Sequence, residues 1–179
     1  MSSEIAEQLA GLESVVQELN LPNISPDRKD MIERELQNFK DQPQSWYLAC
    51  SFMGMSSDSL VLFYSATVLE HTVHNKWSVI DADERQHVKT FLTEFLQDNF
   101  SQLKHFVRNK VLQVFVVIGR TEWREYFPQF LDIVKGWCGN PNTVLLGLTA
   151  LKMISEDCSD HRASRLADTF LHRVSCVCV

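Results

Sequence analysis

Residues Asp58 to Trp77 read DSLVLFYSATVLEHTVHNKW, and the spacing of their apolar side chains decides the fold. Leu62, Ala66, Leu69, Val73 and Trp77 recur at steps of three and four, so a helix gathers them into one stripe. Tyr64, Thr67, His71 and Asn75 then fall on the opposite side, about 180° away. Ser57, Asp58 and Ser59 supply side-chain oxygens where the first turn needs an N-cap. One amphipathic helix cannot bury its own stripe, so neighbours of the same kind are required.

The chain supplies them. Upstream, Ile5, Leu9, Leu12, Val15 or Val16 and Leu19 form a helical stripe, and Pro22 and Pro26 then flank a break. Ser25 as N-cap with Pro26 at the first helical position opens a second helix that packs through Ile32, Leu36 and Phe39. After Gln42-Pro43 comes a short bulky helix with Trp46, Tyr47, Leu48 and Phe52, which Gly54 is expected to end in a left-handed cap. Downstream of Trp77, Val88, Phe91, Leu92, Phe95 and Leu96 stripe another helix.

Lys104 to Ile118 is apolar on nearly every side, with Phe106, Val107, Val111, Leu112 and the run Val114 to Ile118. The run VFVVI has strand propensity, but the helical spacing continues upstream, so a helix between neighbours is expected, ended by Gly119. Thr121 is read as the cap of a helix through Trp137, packing Trp123, Phe127, Phe130, Leu131 and Val134, with Pro128 as a kink or a delayed start. Asn140 and Pro141 open the next, striped by Val144, Leu148 and Leu151, and Asp160 to Val174 is read as a last, weaker helix.

Paired, these segments are 3–20 with 26–40, 44–55 with 59–77, 83–100 with 103–119, and 122–137 with 141–157. The second helices follow one another at about 35 to 45 residues, the period of HEAT or armadillo repeats. The expected fold is all-α, an α-α superhelix of about four helical hairpins; a compact bundle of eight or nine helices is the alternative. Residues 1–157 form the array and 158–179 a partial fifth helix and tail. A terminal pair ending at residue 157 lacks an outer neighbour, which predicts limited solubility or self-association.

Composition narrows the function. The chain has 179 residues, 45% hydrophobic, with six glycines and five prolines, fitting helices on short connections better than a turn-rich β fold. The net charge of −6 is spread without a basic run, so nucleic acid is not an expected partner. The N-terminus is acidic from Glu4 and has neither a secretory nor a transit pattern, and no apolar run is long enough to span a membrane; a soluble intracellular protein is expected. Five scattered cysteines then read as reduced thiols. The final Cys176-Val177-Cys178-Val179 fits a prenylation pattern only formally, since no polybasic segment precedes it.

Catalytic chemistry is missing from the pattern. No nucleophile elbow, P-loop or dinucleotide fingerprint occurs. His71 and His74 share a metal-compatible spacing, but no third ligand type lies nearby, so no metal and no cofactor is expected. The carboxylate pairs Glu33/Glu35 and Glu122/Glu125 read as solvated helix faces. A surface of stacked helix pairs, with no enzymatic centre, is a binding surface by default.

Taken in order, several blocks resemble the N-terminal region of importin-β-type nuclear transport receptors. They are Leu69-Glu70…Val73…Trp77; the long apolar helix of FVRNKVLQVFVVIGRTEWREYFPQFLDIV with its Glu122-Trp123; and Leu148…Leu151-Lys152…Ser155-Glu156 in TVLLGLTALKMISED. The Arg108-Asn109-Lys110 and Gly119-Arg120…Trp123 motifs are similar to the exportin branch, in particular to an exporter of actin bound to profilin. Where family members often carry Trp-Pro, this chain has Trp123-Arg124.

The resemblance implies a HEAT superhelix whose first repeats bind the GTP form of Ran, protein cargo of which actin–profilin is the implied case, contact with nucleoporins, and shuttling between nucleus and cytoplasm. In such arrays the second helices line the concave side. The residues opposite the stripes, Tyr64, Thr67, His71 and Asn75 on one and His105, Asn109 and Gln113 on the next, are then the expected Ran contacts. A HEAT-like adaptor or scaffold without Ran dependence is the competing reading.

Overall fold

The computed structural model describes residues 2–122 and 127–160. They form eight helices and no strand: α1 (Ser2–Leu19), α2 (Pro26–Asp41), α3 (Ser45–Met55), α4 (Ser59–Asn75), α5 (Ala82–Asn99), α6 (His105–Glu122), α7 (Phe130–Gly139) and α8 (Val144–Asp160). Each even-numbered helix packs on its odd-numbered partner, and the even ones also pack on one another in sequence order, α2 on α4, α4 on α6 and α6 on α8. That ladder of second helices is the signature of a HEAT-like solenoid and is not what a closed bundle would give.

The helix starts follow local chemistry. Asp58 Oδ1 accepts from the amides of Leu60 at 2.7 Å and Val61 at 3.2 Å, so the cap expected from the sequence is the one used. Ser25 caps α2 with Pro26 at its first turn. The start of α5 is a reciprocal capping box between Asp81 and Glu84. VFVVI is helical within α6 despite its β-branched residues, because neighbours on several sides bury it.

The stripe Leu62, Ala66, Leu69, Val73 and Trp77 is buried throughout. The helix is less one-sided than its spacing suggests, since Val61, Tyr64, Ser65, Val68 and Thr72 are buried too. The reason is position: α4 is wedged among α1, α2, α3 and α6. One apolar core runs without interruption from Leu9 on α1 to Ile154 on α8.

Four boundary expectations are corrected. Gly54 lies inside α3, which runs on to Met55, and no glycine among the described residues has a positive φ. Gly119 does not end α6, which continues to Glu122. A glycine is needed there because a Cβ would sit within the ring of Phe130. The following helix starts at Phe130 rather than Thr121, so of the two roles open to Pro128 the delayed start applies. Finally, α8 begins at Val144 rather than Pro141. Asn140 instead closes α7, its amide reaching Trp137 O and its side chain accepting from Asn142 N, while the Thr143 hydroxyl donates to Trp137 O at 3.0 Å.

The stripe of α8 is also rotated from expectation. Leu146, Ala150 and Ile154 are buried, whereas Val144 and Leu148 are exposed and Leu151 is half-buried. The periodicity was legible and its phase was not, because this helix is apolar on adjacent faces. Trp123, Arg124 and Glu125, the segment from residue 161 and the side chain of Cys158 lie outside the described residues.

Candidate functional site

Two polar constellations stand out, and only one of them faces solvent. The first lies inside the joint between the second and third hairpins. Glu122 is buried and its Oε1 accepts from Trp77 Nε1 at 2.8 Å and from Arg85 Nη1 at 2.9 Å. Its Oε2 accepts from the buried Lys89 Nζ at 3.0 Å, and that ammonium also stands 5.4 Å from the centre of the Phe127 ring. The expectation that Glu122 is a solvated carboxylate is therefore wrong. It joins the turn that follows α4 to α5 and the end of α6, and this explains why the Trp77 block and the Glu122-Trp123 block occur together. A second tie between the same hairpins is the ion pair of Glu70 on α4 with Lys110 on α6. Both pairs draw residues from the quoted motif blocks, which are thus partners in space.

The second constellation is the exposed side of α4, α6 and α8. Phe63 and Phe106, 38% and 42% exposed, meet across α4 and α6 with ring centres 5.5 Å apart and planes tilted by 58°. The sequence reading counted Phe106 with the core; it is a surface residue. Beside the pair runs a groove of about 450 Å³, continued by Asn109, Lys110 and Gln113 of α6 and by Met153 and Glu156 of α8, with Val116 and Val117 as apolar walls.

The seven residues expected at a partner interface are divided by the structure. Tyr64 is buried, and its hydroxyl donates to Leu36 O of α2 at 2.6 Å; burial raises its ionisation well above the ordinary phenol range. His71 Nε2 stands 3.0 Å from Asp41 Oδ1 at the end of α2. Lys76 reinforces this seam by donating to the Lys40 and Gln42 carbonyls at the end of α2, at 2.7 and 3.0 Å, carbonyls that also accept from the Ser45 hydroxyl and amide. Thr67 is half-buried and its hydroxyl donates back to Phe63 O, while the exposed Asn75 donates to His71 O. His105 and Gln113 are exposed and Asn109 half-buried, its amide nitrogen 3.2 Å from His105 Nε2.

Asn109 and Gln113 thus border the groove, whereas Tyr64 and His71 bind α4 to α2. Sequence reasoning missed Phe63 and Phe106. The available signal was the crowding of α4 and α6: helices with apolar residues beyond one stripe must leave some of them outside.

Little here suggests covalent chemistry. Cys50 is buried, and desolvation pushes its thiol up to about 12. Among the described residues no helix is long and apolar enough to cross a membrane.

Comparison with known proteins agrees with this architecture. Residues 32–98, from within α2 to the end of α5, match the importin-β N-terminal domain. Exportin-6 of Danio rerio is 34% identical over 157 residues, 88% of this chain and 14% of the relative. Human exportin-6 is 31% identical over the same length, and mouse exportin-T 30% over 145 residues, 78% of this chain and 15% of the relative. The chain therefore spans about one-seventh of the length of the curated relatives it matches.

Proposed function

The chain belongs to the importin-β type, as an exportin-like N-terminal array, and on that premise we propose that it acts in nuclear export as a Ran-binding module. Its second-helix face binds Ran in the GTP state, and the protein cargo of the receptor type is actin bound to profilin. The protein moves between nucleus and cytoplasm, with nucleoporins as passing contacts. Its task is recognition rather than catalysis.

The observation that supports this most is the unbroken ladder of α2, α4, α6 and α8 presenting one surface, on which exposed aromatic rings sit among neutral amides. Rings of that kind, ringed by adaptable polar groups, suit interface hot spots. Contacts to Ran run along Thr67, His71 and Asn75 of α4 and His105, Asn109 and Gln113 of α6. Tyr64 contributes from beneath by fixing α4 against α2 through its bond to Leu36 O.

The test is a pull-down of the purified chain with Ran carrying a non-hydrolysable GTP analogue or GDP. Retention of the GTP form alone is expected. Equal retention of both forms, or of neither, removes the proposal and leaves an adaptor without Ran dependence.

A further inference from the structure

The first and last hairpins of the array finish differently toward water. On α2, every exposed position except Pro26 and Met31 is polar or charged, the outer face that a terminal repeat needs. On α8, Leu146, Ala150 and Ile154 pack inward, and Met153 and Glu156 border the groove shared with α6. Leu148 stands about 160° around the helix from Ala150. With Val144, Leu145 and Leu148 at 37%, 56% and 56% exposure and Leu151 half-buried beside them, α8 carries an apolar ridge turned away from both the core and the groove.

We infer that the segment 161–179, which follows α8 directly, returns along it as an antiparallel helix and covers this ridge with Phe170, Val174 and Val177. Leu166, Phe170, Val174 and Val177 recur at steps of four, four and three, which is one face of a helix. After a turn of about four residues, Arg165 comes beside Asp160 and each further residue steps back one position. Phe170 then lies beside Ser155, Val174 beside Leu151 and Val177 beside Leu148. Charge favours the same contact: of the net −6, the segment contributes +2, from Arg162, Arg165 and Arg173 against Asp168, which leaves −8 on residues 1–160.

A second copy of the chain is the competing occupant, and size decides against it. A stable interface uses roughly 20–30 residues a side, whereas the ridge is Val144, Leu145, Leu148 and Leu151 alone. A segment tethered by a short turn needs far less contact, because its effective concentration is on the order of millimolar. A ridge too small to hold a separate molecule therefore holds residues already joined to it, and their docking keeps the chain monomeric.

The experiment places a photoreactive p-benzoylphenylalanine at Leu148 of the full chain, an exposed position where folding is retained, and maps the crosslinks by mass spectrometry after digestion. The expected link is within one chain, to residues 170–179, in a product of monomer mass. The same group at Met31, exposed on α2, should give no link to that segment. Adding Phe170→Asp and Val174→Asp should abolish the link from Leu148, since two carboxylates cannot be laid against an apolar ridge without loss, and thermal unfolding checks that the array itself persists. A link to a second copy, no link to residues 170–179, an equal link from Met31, or a Leu148 link that survives both aspartates overturns the inference.

Discussion

The joint around Glu122 and the groove around Phe106 lie on the same helix, α6, yet they treat polar groups in opposite ways. At the joint every bonding position found for the Glu122 carboxylate is filled from inside the protein, by an indole, a guanidinium and an ammonium. At the groove aromatic rings and amides stay at the surface. The first arrangement gains nothing from a partner and everything from the stacking of hairpins. The second spans the same hairpins but leaves its rings and amides at the surface. The difference teaches that polar residues next to motif blocks need not be recognition residues; here the most motif-like ones are scaffold.

That division is most easily broken at the joint. Glu122→Ala leaves the buried Lys89 ammonium without its carboxylate, and a loss of about 3–5 kcal/mol is expected, read from urea unfolding. A variant as stable as the parent would make the cluster decorative. Trp77→Phe keeps most of the ring and removes the donor to Glu122, so a smaller loss of about 1–3 kcal/mol is expected by the same method.

Gly119→Ala tests the contact of α6 with α7. Alanine gains up to about 1 kcal/mol of helix propensity, but its methyl meets the Phe130 ring, and overpacking of about 1–3 kcal/mol should win. A stabilised variant would mean that the ring moves freely.

A weaker effect should appear at the exposed edge. Arg28 donates two bonds of 2.7 Å to Glu18, and that contact holds the Glu18 carboxyl below its ordinary value of 4.5. Because the folded form then binds a proton less readily than the unfolded one, the pair stabilises the fold above about that pH and the benefit disappears on acidification. Arg28→Ala should therefore lower the melting temperature slightly at pH 7 and leave it unchanged near pH 2. Smallest of all should be the stability change in Phe106→Ala, about 1 kcal/mol or less, since its ring is 42% exposed. A large loss there would move Phe106 from the recognition face to the scaffold.

Much of the scaffold was legible in the sequence. Asp58, Ser25 and Pro26 mark helix starts through local hydrogen bonding, and the α4 stripe repeats with a regular phase, so both can be read without knowing the neighbours. The phase of α8 and the exposure of Phe106 could not, because residues apolar on adjacent faces leave the choice to tertiary packing. Glu122 was misread for a related reason: nothing near it in the chain announces Trp77, 45 positions away. The candidate site was half legible, in Asn109 and Gln113, while Tyr64 and His71 turn toward α2.

The most direct measurement is amide hydrogen exchange of the chain with and without GTP-loaded Ran. New protection is expected along residues 63–75 and 105–113 and at 153–156, with α5 unchanged. Protection confined to α3 and α5, or no change anywhere, would contradict a second-helix face that reads its partner while the buried joint only holds the array together.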